Sequence, residues 1–295
     1  MQQFILSCGS TIDLSPEHVS KRNIHYIPFK YMLDNQSFDD DLGESFSAEN
    51  FYNAMTSGCE TKTSQINLDD YLSRCTPFLE NGQDILFVSL SSGISGAFNG
   101  AKVAQEILKE KFPDRTILLV DSLAASSGYG MLMDTLADLR DAGKTIHEVA
   151  DWLEANKLTV QHWFFSTDLT FYIKGGRVSK TSGFFGKMLN ICPLLTVNVD
   201  GKLIPKEKVR GKKKVIAQTV AKMETLATNG LNYNGKCYIS HSACLEDAKM
   251  LAEQIEKKFT KLKEPVLINN IGPTIGSHSG PGTVALFFYG KERID

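Results

Sequence analysis

At 295 residues, with 42% hydrophobic and 22% charged side chains, the chain has an ordinary globular composition and length for one large or two medium domains. A formal net charge of −2 argues against a general nucleic-acid binder, and no run of eighteen apolar residues suggests a membrane span. Cys8, Cys59, Cys75, Cys192, Cys237 and Cys244 form no CxxC pair, so neither a zinc site nor a disulfide framework is expected, and scattered thiols point to the cytoplasm.

Residues Phe4–Cys8 form a short apolar run; the N-terminus has no basic region before it and is not expected to be a signal peptide. Ile24–Leu33 reads as extended, with Asp34-Asn35 turning into Gln36–Phe38. Ser47 caps a helix that Gly58 ends, and Asn67 caps another with Asp69 and Asp70 in its first turn, broken or kinked at Pro77. Asp84–Leu90 is an almost continuous apolar run, as in a strand buried on both faces. A helix from Gly96 to Phe112, a strand at Thr116–Val120 and a long helix from near Leu123 follow, and Thr145–Glu148 is a capping box. This alternation predicts right-handed crossovers and a parallel sheet.

The second half opens on a strand at Leu158–Ser166 and a glycine turn at Lys174–Arg177. Leu194–Val199 and Leu203–Pro205 read as a hairpin turned by Asp200-Gly201. Helices near Val215–Ala227 and Glu246–Phe259 alternate with strands at Lys236–Ser240 and Val266–Asn270, and Thr283–Phe288 is strand-like. The expected fold is α/β in two domains. Residues 1–160 form a mostly parallel α/β domain and residues 161–295 an α+β domain with a mixed sheet.

Three loops rich in serine, threonine or glycine carry the chemistry: Thr61–Gln65, Ser89–Gly96 at the carboxyl end of the most buried strand, and Gly276–Gly282, which holds His278. Ligands of open α/β sheets settle outside the carboxyl ends of strands, and the second loop runs into a helix N-terminus that favours an anion. The hydroxyls of Thr63, Ser64, Ser92 and Ser95 and the backbone at Gly96 therefore suit an anionic headgroup, with His278 the one general base. Ordinary N-cap chemistry with Ser95 as the cap is the plainer reading of the second loop. A serine esterase or acyl transferase using Ser95 or Ser92 with His278 is the alternative function, although the loop has no Gly-x-Ser-x-Gly elbow and no P-loop.

Seven short motifs in register resemble the DegV family: Ser10-Thr11-x-Asp13, Thr63-Ser64-Gln65, Leu90–Gly96, Asp121-Ser122, Gly175-Gly176-Arg177, Lys208–Lys213 and Ile275–Gly282. The resemblance covers essentially the whole chain, with Cys8-Gly9 where the family commonly has an acidic residue before Ser-Thr. It implies a non-catalytic, cytoplasmic protein without cofactor or metal. Such a protein holds one long-chain fatty acid (palmitate, stearate or oleate) as a ligand between its two domains and presents its carboxylate to a separate ATP-using kinase subunit. By that resemblance Thr63 and Ser95 bond the carboxylate, His278 stands beside it, and Arg177, Arg210 and Lys213 lie around the headgroup or face the partner. Neither nucleic acid nor integral membrane association is expected.

The tail would supply most of the affinity, at about 0.8 kcal/mol per buried methylene, while the buried carboxylate needs several converging donors. Phe184, Phe185, Met188, Leu189 and Ile191 are tunnel candidates, each with plain core packing as its alternative. The cluster Lys202, Lys206, Lys208, Arg210, Lys212, Lys213 and Lys214 reads as a solvated face, or else as a seat for a phosphorylated metabolite or an acidic partner. Asp39-Asp40-Asp41 with Glu44 reads as a solvated acidic loop.

Overall fold

The computed structural model describes residues 4–179 and 190–294. Strand β1 (Phe4–Gly9) is buried along its whole length and leads through a short helix α1 (Pro16–Lys21) to β2 (Ile24–Ile27). After β6 (Asp84–Ser89), helix α4 (Ala97–Lys111) crosses to β7 (Ile117–Asp121). These four strands form a wholly parallel sheet in the order β2-β1-β6-β7. The apolar runs read from sequence thus lie where a two-sided burial demands them.

Between β2 and β6 the chain builds a small antiparallel sheet, β4-β3-β5, from β3 (Lys30–Leu33), β4 (Gln36–Asp39) and β5 (Thr61–Ser64). Helix α2 (Ala48–Thr56), capped by Ser47, packs Phe51, Tyr52 and Met55 against it. The threonine segment expected as a loop is therefore the edge strand β5, with Thr63 opposite Tyr31. Helix α3 (Leu68–Glu80), capped by Asn67, runs through Pro77 without ending.

The other large sheet is mixed, in the order β10-β9-β8-β13-β11-β12. Its strands are β8 (Val160–Ser166), β9 (Ile191–Val197), β10 (Leu203–Arg210), β11 (Cys237–His241), β12 (Leu267–Asn270) and β13 (Thr283–Tyr289). Only β11 and β12 pair in parallel. The hairpin closes where Asn198 N–H donates to the Lys202 carbonyl at 3.0 Å, and β10 runs on to Arg210, through a segment read only as a basic cluster. Helices α8 (Lys212–Leu226) and α9 (Leu245–Lys258) cover the outer face.

Helix α5 (Ser126–Asp141) lies between the parallel and mixed sheets, with Tyr129, Met131, Leu132 and Leu136 fully buried. Its Asp134 accepts from His18 (3.0 Å) and Tyr238 (2.8 Å) and pairs with Arg22 and Lys236, tying α1, α5 and β11 together. Helix α6 (Ile146–Asn156) opens on the capping box of Thr145 and Glu148.

Three short helices were not visible in the sequence pattern: α1, α7 (Thr170–Lys174) and α10 (Pro273–Ser279). The histidine segment is a helix for most of its length, and only its end is a turn, at Gly280 (φ 68°) and Gly282 (φ 88°). A side chain at Gly280 would also collide with the Phe171 ring at 2.2 Å.

Candidate ligand site

A cavity of about 460 Å³ opens where the β6–α4 loop, β5 and α10 face the mixed sheet, a volume usual for small-molecule sites. The two-residue period of strands selects its walls. On β8, His162 and Phe164 turn into the cavity while Trp163 and Phe165 join the outer core. On β13, Thr283, Ala285 and Phe287 face in, and Val284, Leu286 and Phe288 face out. Val197 and Leu203 contribute the hairpin, Leu90 and Ile94 the loop after β6, and Phe29 and Ile271 the remaining apolar wall.

Polar groups gather at one part of this apolar space. Thr63, Ser64, Ser95, Gly96, Arg177 and His278 all line it, from four different segments. His278 Nε2 lies 2.7 Å from Thr63 Oγ1, and its Nδ1 lies 3.2 Å from Arg177 Nη1. A guanidinium only donates, so Nδ1 accepts; this network places the ring proton on Nε2, which donates to Thr63. The threonine hydroxyl proton is then free for a ligand acceptor. Burial, with the Arg177 guanidinium as a second cause, pushes His278 down to about 4, so the ring is neutral near pH 7.

Arg177 is held by backbone: its Nε donates to the Ile94 carbonyl at 3.1 Å and its Nη1 to the Gly175 carbonyl at 2.7 Å. It therefore bridges α7 to the loop before α4. Gly175 allows this approach, since a Cβ there would sit 2.4 Å from His278 Nδ1. The cap of α4 is Gly96, not Ser95, and makes no side-chain hydrogen bond; Ser95 Oγ accepts from Ala97 N–H at 3.2 Å. Ser95 Oγ keeps its proton for another partner, as Thr63 does.

Several expected residues stand elsewhere. Ser92 is exposed, does not line the cavity, and spends its N–H on Asp121 Oδ1 at 3.2 Å. Arg210 ends β10 and Lys213 lies in the first turn of α8; both are exposed and away from the cavity. Lys212 of the same cluster is neutralised by Asp247 at 2.6 Å, which offsets the unfavourable positive charge in the first turn of α8. Ile191 starts β9 without lining the cavity, and Phe184, Phe185, Met188 and Leu189 lie outside the described residues. Asp40 departs from the solvated loop expected for it: it is 2% exposed. Ser126, His162 and Tyr172 were missed as lining residues, although alternation along β8 and β13 carried the signal for the strand positions.

The arrangement suits an anion, and among the described residues it forms no serine–histidine pair. No hydrogen bond joins His278 to Ser92 or Ser95 among the described residues, and the group beside Nδ1 is a cation where a serine triad needs an acidic or neutral acceptor. Likewise no group of three or more His, Cys, Asp or Glu side chains suited to a metal occurs among the described residues. No described helix is long and apolar enough to cross a membrane.

Known proteins resemble the chain over nearly its whole length. A DegV domain-containing protein of Clostridium perfringens is 35% identical over 293 residues, 99% of each chain. A solved DegV lipid binding protein of Thermotoga maritima is 27% identical with a TM-score of 0.84, covering 99% of both chains. A second Thermotoga maritima structure, described as revealing a fatty acid binding function, is 26% identical with a TM-score of 0.83 and covers 99% of this chain and all of that one. The Streptococcus pneumoniae Fatty Acid Kinase B3 protein, solved with linoleic acid, shares the fold at 22% identity and a TM-score of 0.83, over 98% of this chain and 100% of that chain. The family profile described as "Uncharacterised protein, DegV family" matches residues 8–291, and the chain belongs to that family.

Proposed function

We propose that this protein binds one long-chain fatty acid, such as palmitate, stearate or oleate, in the cavity between its sheets. The observation that carries the reading is the polar corner of a largely apolar space: Thr63, Ser95 and Arg177 converge around a neutral His278. Apolar walls from β8, β13 and the hairpin suit a methylene chain, which contributes about 0.8 kcal/mol per buried CH₂. Free hydroxyl protons of Thr63 and Ser95 and the uncapped start of α4 at Gly96 would receive the carboxylate, with Ser64 nearby. Residues 1–160 and 161–295 would be the two domains enclosing it.

The protein itself would carry out no chemistry. It would act in the cytoplasm, presenting the carboxylate at the Thr63–Arg177 corner to a separate ATP-using kinase subunit, with the exposed Arg210 and Lys213 facing that partner. The relatives named for lipid or fatty-acid binding and the shared fold of the fatty acid kinase B3 protein support this reading. Mass spectrometry of lipid extracted from the purified protein should find a long-chain fatty acid. Finding none, together with no uptake of added palmitate or oleate, would sink it.

A further inference from the structure

A second, polar cavity of about 260 Å³ adjoins the first, lined by Ser10, Asp13, Ser15, Asp40, Asn269 and Gly272 with their neighbours. Two of these are carboxylates, 5% and 2% exposed, and neither forms an ion pair among the described residues. Both turn toward one backbone segment. Gly272 N–H donates to Asp13 Oδ1 at 2.9 Å and Thr274 N–H to Asp40 Oδ2 at 3.2 Å. A methyl group on Gly272 would lie 3.1 Å from Asp13 Oδ1 and 3.4 Å from Asp40 Oδ1.

That segment opens α10, the helix that carries His278 and Ser279 at its other end over the acyl cavity. Asp13 reaches the same cavity by a second route, since Ser126, a lining residue, donates its hydroxyl to Asp13 Oδ2. Asp13 (φ 44°) and Ser126 (φ 56°) both hold left-handed backbone without being glycine, a strain that the surrounding packing must maintain. Asp40 Oδ1 is buried without a hydrogen-bond partner. Two buried carboxylates, two strained residues and an unpartnered oxygen are costly to the fold, and they converge on the base of one short helix.

We propose that Asp13 and Asp40 are positioning residues of the fatty-acid site, which as charged carboxylates pin the first turn of α10 and so fix His278 and Ser279 over the headgroup. This rests on the fatty-acid reading of the larger cavity. A charged acceptor holds an N–H more strongly than a neutral amide would, which gives the charge a purpose that packing alone does not.

The charge is held against burial, which pushes Asp13 up to about 7 and Asp40 up to about 6. The titratable groups facing the pair are each other, Asp41 beside Asp40, and the phenols of Tyr26 on β2, Tyr31 on β3 and Tyr52 on α2, with Glu44 near Tyr26. None of these brings positive charge. His278, at about 4, and His162, well below its usual value, are already neutral above pH 6, so a change of binding between pH 6 and 7 reports the pair.

The signs separate positioning from plain anchoring. Both folded values are raised above 3.8, so the folded state holds these protons more tightly than the unfolded chain. Stability is therefore lost as pH rises from 3.8 through the folded values of about 6 and about 7, and stays level above them. Asp13→Asn keeps an acceptor for Gly272 N–H and a partner for Ser126, and removes only the charge. At about pH 8 it should melt no lower than the wild type, yet bind oleate roughly tenfold more weakly, the worth of one charge-assisted hydrogen bond. Wild-type affinity for oleate, followed by titration calorimetry, should rise from about pH 5.5 to about pH 8; the Asp13→Asn variant should lose the upper part of that rise and keep only the smaller part that Asp40, at about 6, contributes. Asp40→Asn, the second variant, should lose the lower part of the rise instead, and the double variant Asp13→Asn with Asp40→Asn should be flat across this range. Melting temperature and affinity falling together in both variants would make the pair ordinary anchors and overturn the proposal, as would wild-type affinity at every pH. Failure of the wild type to bind oleate at any pH would instead remove the fatty-acid reading, and this inference with it.

Discussion

Thr63 and His278, 215 positions apart in the chain, share a 2.7 Å hydrogen bond that joins the edge of the small antiparallel sheet to the end of α10. The direction of that bond follows from a third residue. Because Arg177 donates to the other ring nitrogen, the imidazole donates to Thr63, and the threonine proton is left to the ligand.

Thr63→Val keeps the shape of the side chain and deletes that donor. Combined with Ser95→Ala, it should weaken fatty-acid binding by roughly tenfold to a hundredfold, the cost of hydrogen bonds to a charged group, with the melting temperature nearly unchanged. Fluorescence displacement of a bound fatty-acid probe measures this directly. Wild-type affinity in the double variant would place the headgroup elsewhere.

Gly175→Ala should act on binding without deleting any hydrogen-bonding group. Its methyl would stand 2.4 Å from His278 Nδ1, so the imidazole must move away from Arg177. Overpacking of this kind costs about 1–3 kcal/mol, part of it as lost affinity. Calorimetric titration of oleate should show the loss, while an alanine at the outward Gly143, which has nothing within 4 Å of its Cβ position, leaves oleate affinity as it was.

The neutral state of His278 has its own signature. An imidazole NMR titration should place its midpoint near about 4, lowered first by burial and then by Arg177. Replacing Arg177 with Gln should move that midpoint upward toward the ordinary 6.5, since one of the two causes is gone. A midpoint that stays put in Arg177→Gln would show that the guanidinium does not act on the ring.

Asp134 should govern acid stability. Burial opposes its charge, but hydrogen bonds from His18, Lys236 and Tyr238 outweigh burial and hold its carboxyl well below the usual 3.8. Its contribution is therefore complete above 3.8 and is lost as pH falls further. Asp134→Ala should destabilise the fold by roughly 3 kcal/mol at neutral pH, because it removes the buried acceptor shared by His18, Arg22, Lys236 and Tyr238, even though Asp138 keeps a pair with both Lys236 and Arg22. Urea denaturation at about pH 7 and about pH 3 should show the gap between variant and wild type narrowing in acid.

Much of the frame was legible in the chain. Apolar runs gave β1 and β6, side-chain caps at Ser47, Asn67 and Thr145 gave three helix starts, and Asp200-Gly201 gave the hairpin turn. Thr63, Ser95 and His278 were legible as hydroxyls and a base in loops, and the structure brings all three to one cavity. What escaped was set by tertiary context. Helix α10 is too short and glycine-rich for helical periodicity to show, and Thr61–Ser64 becomes a strand because β3 offers it an edge. Asp40 looked solvated because its sequence neighbours are acidic, yet it turns inward to the N–H of Thr274. Lys206, Lys208 and Arg210 looked like a charge cluster because alternate positions of β10 face solvent.

Helix α5 leans on the parallel sheet with one side and on the mixed sheet with the other, and its Asp134 is gripped by residues from both halves of the chain. Neither half can let go of that helix while the other stays intact. Loss of structure should therefore spread as one event, and the slowest-exchanging amides of β1 and β13 should open together in native-state hydrogen exchange, with a single shared opening free energy.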